Sequence, residues 1–146
     1  MYRKILLPLD GSELARLAIP HVGALARAFD ASVVLLEVAP ELRGPAAYNI
    51  EAAREDAHVD AQADLEVARE LLQGYEIENV ETAVLEGSPG ETIVAFVEEA
   101  RCDLIVMVTH GRSDISRALL GSVAEHVVRH SHDTPVLLIH AAQSSQ

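Results

Sequence analysis

Four stretches of nearly unbroken apolar residues constrain this chain most: "RKILLPL" (3–9), "ASVVLLEVA" (31–39), "CDLIVMVTH" (102–110) and "TPVLLIH" (134–140). Each is short and lacks the polar alternation of a strand with one wet face, so each is expected to be a strand, the first two covered on both sides and the third the most apolar. A fifth run, "NVETAVLEG" (79–87), does alternate and is expected at a half-exposed or edge position. The segments between them repeat apolar residues at helical spacing. In 12–30, Leu14, Leu17, Ala18, Val22, Leu25 and Ala26 recur on one face, which predicts one helix capped by Ser12 and kinked near Pro20. A long acidic, alanine-rich helix is expected over 49–73, stopped by Gly74; shorter ones are expected over 90–100 and 116–130. Five strands alternating with four helices predict an α/β fold: a five-stranded parallel sheet with helices on both faces.

The chain has 146 residues, 49% of them hydrophobic, enough for the core of a single domain spanning 1–146, with "AAQSSQ" (141–146) expected as a disordered tail. No apolar run approaches the roughly 20 residues of a membrane span, and "MYRKILLPLDGSE" shows no signal-peptide cleavage site, so a cytoplasmic protein without a membrane partner is expected. The single cysteine, Cys102, has no partner for an internal disulfide and reads as a small buried hydrophobe.

A net charge of −12 argues against nucleic acid as a partner, because that binding depends on neutralising phosphates with Lys and Arg. The charge is unevenly placed. Residues 41–103 hold 16 acids and 4 bases, so this segment carries the whole excess, and an anion site is to be sought in 1–40 or 104–146. On a parallel sheet ligands sit beyond the carboxyl ends of the strands, where strand order reverses. The relevant exits here are "PLDGS", "EVAPE", "EGSPG" and "VTHGRS".

Three uses of this layout are excluded by residues. A phosphate-accepting response regulator needs an aspartate at the third exit and a late lysine, but Glu86 and Gly87 stand there and Lys4 is the sole lysine. Flavin binding wants stacking aromatics, of which the chain has five and no tryptophan. A P-loop needs GxxxxGK[ST], which is absent.

The fourth exit is richer. Gly111 is followed after nine residues by Gly121-Ser122 at the start of an apolar helical register, with Arg112 and Arg117 between. Backbone N–H groups freed by the glycines, the helix dipole, the Ser122 hydroxyl and the two guanidinium groups together make a phosphate cradle. The same residues also suit a strand-to-helix turn at Gly111, close helix packing at Gly121 and solvated arginines; the pattern alone leaves both open.

"PLDGS", "DLIVMVTHGRS" and "RALLGSVAEHVVRHSHDTPVLLIH", together with "KILLPLDGSELA", "LLEVAP" and "EGSPGETIVAFVEEARCDLIVM", resemble the universal stress protein family over almost the whole chain. The resemblance implies a Rossmann-like, adenine nucleotide alpha hydrolase-like fold, and a stress-response regulatory module binding ATP, AMP or another adenine nucleotide, with Mg. The family's nucleotide-binding subgroup carries glycine, two residues, glycine, nine residues, then glycine with serine or threonine. This chain keeps the second half at Gly111 and Gly121-Ser122, but Val108 stands at the first glycine, beside the expected ribose, and Asp114 stands where the family often has a small residue. If Val108 keeps β-region backbone with its side chain in the sheet, the phosphate half is unaffected. By resemblance Pro8, Leu9 and Asp10 form the first-strand exit facing adenine and ribose, Val38 offers backbone to the adenine edge, and Met107, Gly111, Arg112, Gly121, Ser122 and Val123 form the fourth-strand loop and helix start. Asp10 equally suits helix capping, and Val38, Met107 and Val123 suit packing.

His126, His130 and His132 suit a solvated helix end better than a metal site, because no carboxylate or cysteine completes a ligand set. No nucleophile, base and orienting acid are grouped, so catalysis is expected to be absent, or limited to the slow ATP hydrolysis that the resemblance implies for some relatives. The resemblance also implies a homodimer through the last strand, whose apolar edge needs covering, and a regulatory protein partner of unknown identity. The alternative is a dimer of the same fold that binds no nucleotide and acts through protein–protein interaction; an uncharacterised hydrolase comes third.

Overall fold

A computed structural model describes residues 1–44, 49–109 and 120–141. The expected loop positions 45–48, Gly111, Arg112, Asp114, Arg117, the amino-terminal part of the helix expected over 116–130, and the tail 142–146 lie outside the described residues.

Each apolar run forms a strand: β1 is Lys4–Leu9, β2 Ser32–Ala39, β3 Val80–Glu86, β4 Leu104–Thr109 and β5 Val136–His140. The helices are α1 Ile19–Phe29, α2 Ile50–Gln73, α3 Pro89–Ala100 and α4 Ser122–His130. The strands pair in parallel in the order β3-β2-β1-β4-β5. The alternating run is therefore at one edge and the last strand at the other, as the sequence predicts.

From β1 the chain moves outward through β2 to β3, then crosses to the other side of β1 for β4 and β5. Right-handed crossovers taken in opposite directions place their helices on opposite faces. Side-chain alternation along the strands serves both layers. Ile5, Leu7 and Leu9 of β1 pack with Val22 and Ala26 of α1 and Leu65, Ala68 and Leu72 of α2. Leu6 joins Ile105 and Met107 of β4 against Ile93 and Val97 of α3 and Ala124 and Val127 of α4.

β1 and β4 are matched only at Ile5↔Leu104 and Leu6↔Ile105, near their amino ends. The Asp103 carboxylate accepts hydrogen bonds from the backbone N–H groups of Arg3 and Lys4 at the same end. Towards their carboxyl ends the two central strands are no longer matched, and a cleft opens there.

Three boundary expectations are corrected. The first helix is split: a single 3-10 turn, Ala15–Ala18, precedes α1. Ser12 caps that turn, accepting from the Ala15 N–H at 3.2 Å, and does not cap α1. Pro20 sits in the first turn of α1, where its missing N–H leaves no helical bond unmade, so it starts the helix and does not kink it. α2 does end at Gly74, as expected, with right-handed φ of −61°, and the left-handed residue that follows is Glu76, at φ 64°. The start of α2 is as its sequence reads, with the Asn49 side chain accepting from the Ala52 N–H.

Candidate functional site

The carboxyl ends of β1, β2 and β4 and the amino end of α4 enclose a cavity of about 340 Å³. Pro8, Leu9 and Asp10 line it from β1, Val38 from β2, Met107 and Val108 from β4, and Gly121, Ser122 and Val123 from the start of α4. The fold thus brings nine of the eleven sequence-predicted site residues around one space; the other two, Gly111 and Arg112, lie outside the described residues.

Asp10 is exposed at the mouth, and its Oδ1 accepts from the Ser12 N–H at 2.9 Å and from the Ser12 hydroxyl at 2.5 Å. This is an aspartate-centred turn of the loop; Asp10 does not cap a helix. Gly11 between them has φ 83°, with nothing within 4 Å of the place where a Cβ would be. Val108 is a regular member of β4, matched to Ile139, and packs against the α1 and α2 core while also bordering the cavity. Met107, its neighbour, faces the α3 and α4 core.

The floor of the cavity is apolar and one end is polar. Gly121 precedes α4 with φ 89° and ψ 147°, a conformation essentially reserved for glycine. The Gly121 carbonyl accepts the first helical bond, from Glu125 N–H at 2.9 Å. The N–H groups of Ser122, Val123 and Ala124 precede that bond and have no partner within the helix, and all three residues line the cavity. This end therefore offers N–H donors and a favourable dipole to an anion, while Leu9, Leu36, Val38 and Met107 offer flat apolar contact.

Several lining residues escaped the sequence reading. Ser12, Leu14 and Ala15 come from the loop and 3-10 turn after β1, and Pro89 and Ile93 from α3. Ser12 and Pro89 each follow a strand exit, which is a legible signal; Leu14 and Ile93 are indistinguishable in sequence from core. His126 and His130 stack with ring centroids 4.1 Å apart, and His130 Nδ1 donates to the His126 carbonyl at 2.8 Å. Among the described residues no group of three His, Cys, Asp or Glu side chains is placed to hold a metal ion, and no helix is long and apolar enough to cross a membrane.

A polar cluster lies behind the first-strand exit. Asp64 of α2, its side chain 10% exposed, pairs with Arg16 of the 3-10 turn at 2.5 Å. Burial first, and then the nearby Asp64 carboxylate, push Glu37 of β2 up to about 8. Hydrogen bonds from Glu37, Arg16 and the Gly11 backbone outweigh the burial of Asp64 and hold it below the usual carboxylate range.

Strand order and cavity define a doubly wound α/β domain with its ligand cleft at the point where the order reverses. The chain belongs to the universal stress protein family, whose pattern matches residues 1–140. It is 36% identical over 142 residues to a universal stress protein of Methanocaldococcus jannaschii, covering 95% of this chain and 82% of that one. A second protein of that archaeon, solved to assign its biochemical function from structure, superposes with a TM-score of 0.75 at 32% identity over 99% of each chain. A universal stress protein solved in complex with cAMP shares the fold at a TM-score of 0.78 and 24% identity, covering 97% of this chain and 99% of the other.

Proposed function

We propose that this protein binds an adenine nucleotide in the cavity at the strand exits and acts as a stress-response regulatory module. The observation that carries the reading is the meeting of two chemistries in one space. N–H groups at the start of α4 that have no partner within the helix suit phosphate oxygens, and the apolar ends of β1, β2 and β4 suit a flat purine. Asp10 stands at the mouth as an acceptor for ribose hydroxyls. A protein of the same fold holds cAMP, which supports the adenine nucleotide class without deciding between ATP, AMP and a cyclic nucleotide.

The position of Val108 within regular β4 is compatible with this reading. Its side chain packs on the α1 and α2 core while the residue borders the cavity.

Titration calorimetry and thermal shift with Mg-ATP and with AMP test the proposal. Saturable binding that raises the melting temperature is the expected result, since a ligand that prefers the native state stabilises it by mass action. Absence of any response at millimolar nucleotide would replace it with the second reading, a dimer that binds no nucleotide and works through protein contacts. That reading has its own observation: β5 is a terminal strand of the sheet, and Leu137 on it is 37% exposed. A homodimer through β5 is proposed under both readings, and sedimentation velocity measures it.

A further inference from the structure

The outward face of α2 carries an exposed apolar row. Val59, Ala63, Val67 and Leu71 recur every four residues along it, and Tyr75 stands just beyond its end. Residues four apart are neighbours on a helix surface, so the four make one ridge, about 18 Å long at about 1.5 Å per residue. Val59, Val67, Leu71 and Tyr75 are between 36% and 58% exposed, and Ala63 is exposed with them. The core face of the same helix is separate: Ala61, Leu65, Ala68 and Leu72 are buried. Single exposed apolar side chains need no explanation, whereas a contiguous run of them rimmed by polar residues marks an interaction surface.

The charges around the ridge are of one sign. Asp60 and Glu66 stand three residues either side of Ala63, Glu70 three after Val67 and Asp56 three before Val59; all four are exposed. None of the four is in an ion pair among the described residues. The bases of α2 are engaged elsewhere: Arg54 pairs with Glu51 and Glu86, and Arg69 donates to the Val80 carbonyl on β3. The ridge is thus apolar along its middle and acidic on both sides. Acidic flanks repel an anionic lipid surface and a nucleic acid. They also oppose a second copy of this chain, which brings the same acids and a net charge of −12. Pairing through β5 leaves the ridge bare, because α2 packs on β2 and β3 towards the opposite edge of the sheet.

Rows of residues four apart fit the grooves between the same rows of another helix, the commonest helix packing in globular proteins, with a crossing angle of about −50°. We propose that the outward face of α2 docks an amphipathic helix of a partner protein. That helix sets leucine-sized side chains against Val59, Val67 and Leu71, with the small Ala63 allowing close approach, and carries Lys or Arg on its flanks to meet Asp56, Asp60, Glu66 and Glu70. The apolar ridge supplies affinity, and the acids supply orientation and the rate of encounter. The surface shares no residue with the cavity at the strand exits, so the docking is independent of nucleotide binding.

The probe is a synthetic amphipathic peptide of about 18 residues, Leu and Lys at helical spacing, long enough as a helix at about 27 Å to cross the ridge. Its control is a peptide of the same composition in shuffled order. Each is titrated into the nitrogen-15-labelled full chain and the amide shifts are mapped. The expected result is a set of shifts confined to α2 and Tyr75, about tenfold weaker binding of the shuffled peptide, and affinity that falls as salt is raised. Val67→Asp with Leu71→Asp separates ridge from charge, because it removes the middle of the ridge and adds two negative charges. A surface that attracts the peptide by charge alone would then bind it more tightly; docking on the ridge lowers affinity by about tenfold or more. Glu66→Gln with Glu70→Gln keeps the ridge and should weaken binding about threefold, with a shallower salt dependence. Shifts spread over other acidic surfaces, equal binding of the shuffled peptide, no binding, or undiminished binding by the Asp-substituted protein overturns the proposal. So does sedimentation showing that the two Asp substitutions dissociate a homodimer, which would give the ridge to a second copy. All four substituted side chains are exposed, and the shift map of the unsubstituted protein decides even where a variant fails to fold.

Discussion

Replacing Gly121 with alanine tests whether the backbone conformation ahead of α4 is the element that presents the anion-facing end of the cavity. At φ 89° and ψ 147° the residue occupies a region that an alanine Cβ makes costly, by about 1–3 kcal/mol. Loss of chain entropy in the unfolded state returns about 0.4–1 kcal/mol of this, as for any Gly→Ala change. A net loss of about 1–2 kcal/mol lowers the melting temperature of a chain this size by roughly 3–8 °C. If the chain relieves the strain by rotating, the N–H groups of Ser122 and Val123 turn away from the cavity, and each hydrogen bond to a charged group is worth about 1.5–3 kcal/mol. ATP affinity should then fall by about tenfold or more. Differential scanning calorimetry and titration calorimetry read the two effects separately. Ser122→Ala, with the backbone untouched, serves as a control that removes only an exposed hydroxyl and should melt with the unsubstituted protein. A Gly121→Ala protein that melts within about 1 °C of the original and binds ATP equally well would refute both the strain argument and the role given to the start of α4.

Val108→Gly removes a half-buried side chain from β4 and should cost about 1–2 kcal/mol in urea unfolding while tightening ATP binding; unchanged affinity would clear Val108 of any part in limiting the cavity. Gly90→Ala places a Cβ 2.8 Å from the His126 ring, between α3 and α4, and should destabilise by about 1–3 kcal/mol; an unaltered unfolding midpoint would show that the two helices part at little cost. Burial pushes the Cys102 thiol up to about 11, so the native protein should react with a disulfide reagent at pH 8 far more slowly than the urea-unfolded chain. Equal rates would mean that the base of β4 opens readily.

The central architecture was legible because buried parallel strands leave a signal that survives any tertiary arrangement: "KILLPL", "SVVLLEVA" and "LIVMVT" have few polar residues to place. Nine of the cavity residues were reachable because strand exits are positions and not residue types. Helix starts were less legible. Ser12 looks like a cap for the long apolar register that follows it, and only the 3-10 turn shows that its hydroxyl is spent three residues later. Gly74 does end α2, but the left-handed residue beyond it is Glu76, which has no such preference to show in the sequence. The polar cluster behind the first-strand exit was invisible. Glu37 reads as a polar interruption of a core strand, and its partners stand 21 positions before it and 27 after it, on elements whose contact depends on the whole fold.

The way β1 and β4 part company after Leu6 and Ile105 gives the molecule a fulcrum. Asp103, clasping the N–H groups of Arg3 and Lys4, closes the jaw at one end, and Pro8 and Met107 face the open space at the other. Both packed layers span that seam, with Leu104 and Val106 of β4 set against the α1 and α2 side and Leu6 and Leu36 against the α3 and α4 side, so the opening is braced from both faces. Whatever fills the cleft therefore touches both halves of the chain at the one place where the central strands leave room between them.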